Sequence, residues 1–322
     1  MSILAKGVDK KIAYRKETTW GVVAPDSGAK QLRRVTSQFN QTAEELQSAE
    51  IRQDYQIADY RHGSLSTEGS LNGELSPRTY ADFFAAALAK NFAVGGSTTG
   101  ASLTIAASGG FYTITRAAGS WLTDGFYVGN VIRLTGAGFA PANVGKNIQI
   151  LSITALVLTV RTFDENTLTA EGPIAAAGAA VVGKQTFAPL TGHTSDSFTV
   201  EEFYGGGVNV SEVHTGNKVG SVAVQLPASG FCTVDFTFMG KGMMQTGATQ
   251  HFATATAAST TGLTVGVSGS VLVNGVPAGV ITNASVNIEY RQTLSQTNFD
   301  KRESGLTWRI LLTSPKSNLK IV

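Results

Sequence analysis

Apolar and polar residues alternate along most of the chain, which is the pattern of half-buried β-strands. Turn-forming Gly, Asn and Asp residues separate many of the alternating runs. The pattern predicts strands in three successive parts of the chain. Their expected ranges are 10–21, which runs into a turn, 31–40 and 63–75, then 111–116, 127–135, 148–153 and 156–162, and finally 197–204, 207–212, 218–226 and 232–239.

One segment has the periodicity of an amphipathic helix instead. Between residues 77 and 91 the large apolar residues fall at spacings of three and four, which gives the segment a single apolar face. Ser76 suits the N-cap and Pro77 suits the first helical position. We therefore expect a core helix over 77–91 that lies on a sheet.

Many short strands and one helix predict a mainly β fold, a β-sandwich or barrel with one packed α-helix. Asn274-Gly275 is a hairpin signal within 271–290, whereas the small residues of 170–183 suit either a flat strand or an exit linker. Charge density divides the chain further, because residues 92–200 hold only ten of its charged side chains. This shift suggests three segments, of which the middle one, 97–190, is expected to be a small all-β domain.

Composition narrows the possible functions. Charged residues make up 15% of the 322 residues, which is low for a soluble monomer, so other copies of the chain are expected to cover part of its surface. The formal net charge of +2 argues against a protein whose whole surface binds nucleic acid. The single cysteine, Cys232, excludes a disulfide within one chain. We expect no signal peptide and no membrane span.

A search for catalytic and ligand-binding motifs finds none with the required spacing. The four histidines stand in different contexts, and no metal-ligand pair, phosphate loop or nucleophile elbow occurs. The glycine-rich run 204–210 suits a turn or bulge between strands. We therefore expect no enzyme activity, no catalytic or cofactor-binding residues, no metal and no cofactor.

The densest polar stretch is Ser48–Ser64, SAEIRQDYQIADYRHGS. Its carboxylates could form an acid/base pair, and its tyrosines could stack on bases. The balance of acids and bases instead suits a subunit interface or a solvated loop. The candidate contact residues are Glu50, Arg52, Asp54, Asp59 and Arg61.

The order of motifs resembles the major tail tube proteins of long-tailed, non-contractile bacteriophages. The resemblance rests on YRKETTWG (14–21), LRRVTSQFN (32–40), the stretch 48–64 with the strand and helix after it, and a later strand pair within 215–243. It covers about 1–92 and 195–290.

The resemblance implies a β-sandwich or barrel flanked by a helix, in subunits that close into rings, usually hexameric, and stack into a tube. Hairpins from each subunit would surround a lumen through which viral DNA passes, and the five candidate residues would contact neighbouring subunits. The implied partners are the chain itself, the tape-measure protein, viral DNA, and the tail terminator and tip proteins. The implied location is the virion tail, after synthesis in the host bacterial cytoplasm.

Two segments depart from the family pattern. Residues 97–190 look like a domain inserted into a discontinuous β-domain, which the resemblance places over 1–96 and 191–322. The insert is expected on the outer tube surface, because an insert in the lumen would block it. A surface-binding function of this domain, toward a glycan or receptor, is the alternative hypothesis, with Trp121 and Tyr127 as the nearest candidates for sugar stacking. Residues 291–322 do not resemble the strands with which the family ends, although 306–312 could form a strand.

Overall fold

The structure is a computed structural model that describes residues 6–51, 53, 59–163, 167–185, 192–266, 272–273, 276–277, 283–290 and 306–313. It contains one α-helix, two 3-10 turns and twenty strands within those ranges. The elements up to the helix are the 3-10 turn Gly7–Asp9, β1 (Lys10–Lys16), β2 (Lys30–Gln31), β3 (Thr36–Gln47), β4 (Tyr60–Glu74) and α1 (Ala81–Ala87).

The next elements belong to the low-charge middle of the chain. They are β5 (Ala93–Val94), β6 (Ser97–Ser108), β7 (Phe111–Arg116), β8 (Val131–Thr135), the 3-10 turn Pro141–Asn143, β9 (Ile148–Ile153), β10 (Val157–Thr162), β11 (Glu171–Val181) and β12 (Lys184–Gln185). The last are β13 (Phe198–Tyr204), β14 (Val210–Pro227), β15 (Thr233–Gly240), β16 (Gly242–Gly247), β17 (Leu272–Val273), β18 (Val276–Pro277), β19 (Asn283–Tyr290) and β20 (Leu306–Thr313).

Strand β14 is shared by two antiparallel sheets. Its first part pairs with β13 and β16, and its second part pairs with β15 and β19. The first sheet has the order β2-β1-β13-β14-β16, and the second has the order β3-β4-β15-β14-β19-β20. A register irregularity at Gly216, whose φ is +70°, lies where β14 passes from one sheet to the other. A bulge of this kind bends a strand and lets it change sheets.

Both sheets and the helix contribute to one apolar core. Tyr14 of β1 contacts the ring of Phe83 in α1, and Phe83 also contacts Phe238 of β15. The Tyr14 hydroxyl donates to Asp82 at the start of the helix, at 2.9 Å. The helix therefore closes a sandwich core, as its apolar face predicted.

The helix is shorter than the sequence predicted. It begins at Ala81, and its N-cap residue is Tyr80, without a side-chain capping bond. Ser76 does not cap it, because the Ser76 hydroxyl bonds to Thr79 Oγ1 at 2.5 Å. Arg78 has a left-handed backbone with a φ of +68°, which interrupts helical geometry. The expected first turn is thus a separate turn that leads into the helix.

Two glycines of β4, Gly69 and Gly73, make room for aromatic side chains. A Cβ at Gly69 would lie 2.3 Å from the ring of Phe39, and one at Gly73 would lie 1.9 Å from the Tyr80 hydroxyl. Neither glycine has a positive φ. They admit aromatic side chains against the strand backbone, which is a known use of strand glycine.

The contact pattern divides the chain into two compact units. One comprises 1–91, 188–271 and 278–322, and the other comprises 92–187 and 272–277. The second contains a closed six-stranded barrel in the order β10-β7-β6-β11-β8-β9. Its core includes Trp121, which is fully buried and donates its indole N–H to the Leu156 carbonyl oxygen at 3.1 Å.

Most strand expectations are confirmed, with three refinements. Residues 171–181 form a strand, β11, rather than a linker. The separate strands expected at 207–212 and 218–226 are one continuous strand, β14. The chain end also contributes to the sheet, because β20 pairs with β19 along its whole length. Among the residues that the structure describes, no helix is long and apolar enough to span a membrane.

Candidate functional site

The dense polar stretch Ser48–Ser64 lies at the end of the long β3–β4 hairpin. Its last five residues belong to β4 itself, so only part of the stretch can be loop. The Ser48 amide donates to the Asp59 carbonyl oxygen at 2.9 Å, which extends the pairing beyond β3. Arg52 and Asp54 lie outside the described residues.

The other three candidate contact residues are exposed. Glu50 is solvent-exposed, and its amide donates to the Ser48 hydroxyl at 3.2 Å. Asp59 and Arg61 form an ion pair, with 2.7 Å between Oδ2 and Nε, while both side chains remain more than half exposed. An exposed pair of this kind contributes only about 0–1 kcal/mol to folding. The pair is thus free to be used in contacts outside the chain.

The far part of this hairpin, residues 44–47 and 60–66, is here called the distal hairpin. Near the sheet β3 alternates between exposed residues and residues that are partly buried or, at Phe39, buried, but from Glu44 onward every residue of β3 is exposed. Strand β15 stops pairing with β4 at Thr67, so the described residues provide no third strand for the distal hairpin. Leu46 and Leu65 are 50% and 43% exposed, and Ile51 at the tip is 99% exposed. A single chain therefore leaves most of the distal hairpin exposed, except that Gly63 and Ser64 are partly buried and Leu65 lines a cavity with Trp20 and Met243.

The base of the hairpin is held firmly in the core. The Phe39 ring of β3 lies 5.5 Å from the Phe238 ring and 5.4 Å from the His214 ring. Lys10 donates to the Ser37 carbonyl oxygen at 3.0 Å. A fixed base gives the distal hairpin a defined direction.

The side of the second sheet that faces away from the core is polar. Asn72 donates to Asp235 at 2.5 Å across β4 and β15, and the hydroxyls of Ser221 and Thr237 lie 2.7 Å apart across β14 and β15. We call this surface the polar sheet face, and we define it as Gln38, Asn40, Thr42, Ser66, Glu68, Ser70, Asn72, Ser221, Gln225, Asp235, Thr237, Asn287 and Glu289. It contains three acidic residues, and one basic residue, Lys218, lies at its edge opposite Met239.

The sequence motif at 14–21 acts as an internal anchor. The Glu17 carboxylate accepts hydrogen bonds from Ser197, Thr199 and the amides of Gly21 and Gly216, at 2.6–2.9 Å. Glu17 is 7% exposed, so these four donors take the place of water. The Trp20 indole N–H donates to the Gly216 carbonyl oxygen at 3.1 Å. The motif thus fixes the bend in β14.

A second buried charged group joins β1, β13 and β14. Glu202 and Glu212 are directly opposite in register, and His214 lies two residues further along the same face of β14. One ligand atom from each of these three side chains lies within 4.8 Å of the others. Lys10 Nζ is 2.8 Å from Glu202 Oε1. Sequence reasoning missed this group, because it depends on the pairing of β13 with β14; the Glu-x-His spacing at 212–214 was its only local signal.

The environment of this group alters its protonation. Burial, together with the nearby Lys10 charge, lowers the pKa of His214 to about 4, so the imidazole is neutral at pH 7. Burial and the Glu202 carboxylate raise the pKa of Glu212 above its ordinary value, although Lys10 opposes the rise. Burial is thus the main cause of both shifts, and the second carboxylate adds to the shift of Glu212 alone.

The structure also locates the other residues that the sequence singled out. Residues 205–208 form the turn between β13 and β14, as expected. Cys232 is buried, and burial raises the pKa of its thiol, which disfavours the reactive thiolate. Trp121 lies in the barrel core, so its assignment as a sugar-stacking candidate is wrong; Tyr127 is 48% exposed.

These observations define a mainly β structural protein that presents a long, uncovered hairpin. The family model described as phage tail tube protein matches residues 7–293, and the chain belongs to that family. It therefore has a structural role in a phage tail tube, assembles with itself into that tube, and is located in the virion tail. No curated protein matches the chain.

Proposed function

We propose that this chain forms closed hexameric rings that stack into the tail tube of a long-tailed, non-contractile phage and conduct DNA into the host. The distal hairpin is the observation that carries this proposal. Each hairpin would pair with hairpins of neighbouring subunits and join a continuous barrel around the lumen. Ring closure of this kind satisfies strand edges that would otherwise pair without control.

The exposed edge of β3 supports this arrangement. Among the described residues β3 pairs with β4 alone, so its outer backbone groups face away from the sheet. A strand of twelve residues is a long edge for a soluble monomer to leave open. The apolar side chains of Leu46 and Leu65 would lose water on pairing with another subunit, which favours assembly. Glu50, Arg52, Asp54, Asp59 and Arg61 would set the register between subunits.

The polar sheet face supports a role in lining the lumen. DNA must slide past the wall of a conduit, and cationic side chains would hold its phosphates. The face offers uncharged amides and hydroxyls together with Glu68, Asp235 and Glu289. The one lysine at its edge, Lys218, donates to the Ser195 hydroxyl at 2.9 Å. Such a surface repels phosphate weakly and binds it poorly.

The barrel unit is proposed to lie away from the lumen. We assign it to the outer surface of the tube, where it leaves the lumen open. The proposed contacts along the lumen and at the tube ends are with the tape-measure protein, viral DNA, and the terminator and tip proteins.

Shortening the hairpin tests this proposal. Residues 44–64 would be replaced with Asn-Gly, which joins the paired residues Ala43 and Leu65 through a two-residue turn. The base contacts of Phe39 remain, so we expect a folded chain that forms no rings or tubes in electron micrographs. The matched control replaces Gly109-Gly110, the two-residue turn between β6 and β7, with the same Asn-Gly. It is expected to assemble normally, and tubes of ordinary form from the shortened chain would refute the hairpin's role.

A further inference from the structure

The buried group of Glu202, Glu212 and His214 has the composition of a metal site. Two carboxylates and one imidazole come from paired strands and converge on one point, with their ligand atoms within 4.8 Å. A Zn²⁺ ion with ligands at about 2.0–2.2 Å would bring tetrahedral ligand atoms to about 3.4 Å from one another. Small side-chain rotations would be enough to shorten the distances between ligand atoms from the present limit of 4.8 Å to about 3.4 Å. All three residues lie in the sandwich unit, on strands whose backbone is fixed by pairing.

His214 provides the independent evidence for a ligand. Its side chain is fully buried, and neither Nδ1 nor Nε2 has a hydrogen-bond partner among the described residues. Buried imidazoles normally have such a partner, so two unpartnered nitrogens require an explanation. The Phe39 ring, 5.4 Å away, packs against the imidazole but offers no acceptor. One ring nitrogen lies within 4.8 Å of a carboxylate oxygen of each glutamate, close enough for a shared ion.

The charges around His214 also favour a cation. Glu202 and Glu212 are directly opposite across β13 and β14, where like charges destabilise a sheet. Lys10 neutralises one of them through its 2.8 Å contact with Glu202 Oε1. One carboxylate then remains without a cationic partner beside the His214 imidazole, in a mostly buried place. Glu212 is only partly buried and provides the side from which an ion could enter.

We propose that Glu202, Glu212 and His214 bind one divalent first-row transition metal ion, with Zn²⁺ as the ion to be tested. Oxygen and imidazole ligands together suit Zn²⁺ better than Mg²⁺ or Ca²⁺, which prefer oxygen alone. On metal binding, Lys10 would lose its ion pair with Glu202. It would still donate to the Ser37 carbonyl oxygen, as it already does at 3.0 Å. The ion would cross-link β13 with β14 under Phe39, at the base of the β3–β4 hairpin.

The test is a Zn²⁺ titration of the tag-free, chelator-treated full-length chain, followed calorimetrically and by metal analysis. We expect one Zn²⁺ per chain and a higher melting temperature with the ion. His214→Gln and Glu202→Gln are each expected to weaken binding by at least about tenfold. His62→Gln, which changes an exposed histidine on the distal hairpin, is the matched control and should bind like the unmodified chain.

A third variant keeps the proposal testable if the ligand variants fold poorly. Lys10→Met leaves all three ligands and removes the competing ammonium, so it is expected to bind Zn²⁺ more tightly. Co²⁺ in place of Zn²⁺ should give visible absorption from a low-coordinate site in the unmodified chain. The absence of stoichiometric binding by the unmodified chain would overturn the proposal. Binding that His214→Gln leaves unchanged would overturn it equally.

Discussion

The indole N–H of Trp20 donates to the carbonyl oxygen of Gly216 at 3.1 Å, across 196 positions of sequence. Glu17 binds the amide of the same glycine at 2.7 Å. The chain segment that follows β1 thus holds the point where β14 passes between the two sheets. A short motif in the N-terminal region therefore controls the geometry of a strand in the second half of the chain.

The first prediction concerns this anchor. Glu17→Ala leaves four donors without their acceptor in a buried place, which we expect to lower the free energy of unfolding by about 2–4 kcal/mol. Denaturant unfolding followed by circular dichroism measures the change. Glu68→Ala, which removes an exposed carboxylate of the polar sheet face, is the control and should change stability by less than about 0.5 kcal/mol. Equal effects from the two variants would contradict the anchoring role.

The second prediction concerns the glycine beneath Tyr80. Gly73→Ala places a methyl group 1.9 Å from the original position of the Tyr80 hydroxyl oxygen, so the ring must move out of the core. We expect a loss of about 1–3 kcal/mol in unfolding free energy. Gly242→Ala is the matched strand control, since a Cβ there meets nothing within 4 Å. The packing explanation fails if the two alanine variants are equally stable.

The third prediction concerns alkaline stability. Burial raises the pKa of Tyr80 to about 12, while the ordinary value in an unfolded chain is 10.0. The unfolded state therefore loses its proton first, and the stabilising contribution is complete below pH 10 and lost as pH rises toward 12. The size of the loss is about 2–3 kcal/mol. Burial also raises the pKa of Tyr14, which adds a loss of the same sign.

Urea unfolding at pH 8, 10 and 11 measures this loss, with tyrosine ionisation followed by ultraviolet absorbance. Tyr80→Phe cannot ionise at this position, so its stability should fall less steeply above pH 10. Identical slopes for the variant and the unmodified chain would show that Tyr80 is not responsible.

The fourth prediction concerns Asp59. It asks whether this residue acts through a contact with a neighbouring subunit or only through its ion pair with Arg61. Asp59→Arg should leave the monomer folded, because the exposed pair with Arg61 contributes only about 0–1 kcal/mol. We expect it to impair assembly, because it places a positive charge where a neighbouring subunit would meet a negative one. The readouts are thermal unfolding and the yield of tubes after sedimentation.

The double variant Asp59→Arg with Arg61→Asp is the control for this experiment. It restores the pair within the chain but reverses both charges toward a neighbour. Assembly should stay impaired if the contact is between subunits. Recovery of normal tubes would mean that only the internal pair matters, and normal tubes from Asp59→Arg alone would make this stretch a solvated loop.

Sequence periodicity predicted the secondary structure well where burial alternates along one element. The strand 111–116 and the packing face of the helix follow directly from such local patterns. The start of the helix could not be predicted in this way, because the Ser76–Thr79 hydrogen bond and the left-handed Arg78 compete with a normal cap.

The other features that the sequence did not predict depend on contacts between residues far apart in the chain. The continuity of β14 through Gly216 depends on Glu17 and Trp20, almost 200 residues away. Similarly, Glu202 and His214 approach one another only because β13 pairs with β14. The sequence identified the polar stretch 48–64, since its charges are adjacent in sequence. The hairpin that carries it became evident only from the pairing of β3 with β4.

Electron microscopy of the purified full-length chain tests the central claim most directly. The account predicts closed rings or stacked tubes whose averaged images show sixfold symmetry, with the β3–β4 hairpins around an open lumen. Stable monomers across a wide range of protein and salt concentrations, with no rings or tubes, would contradict it.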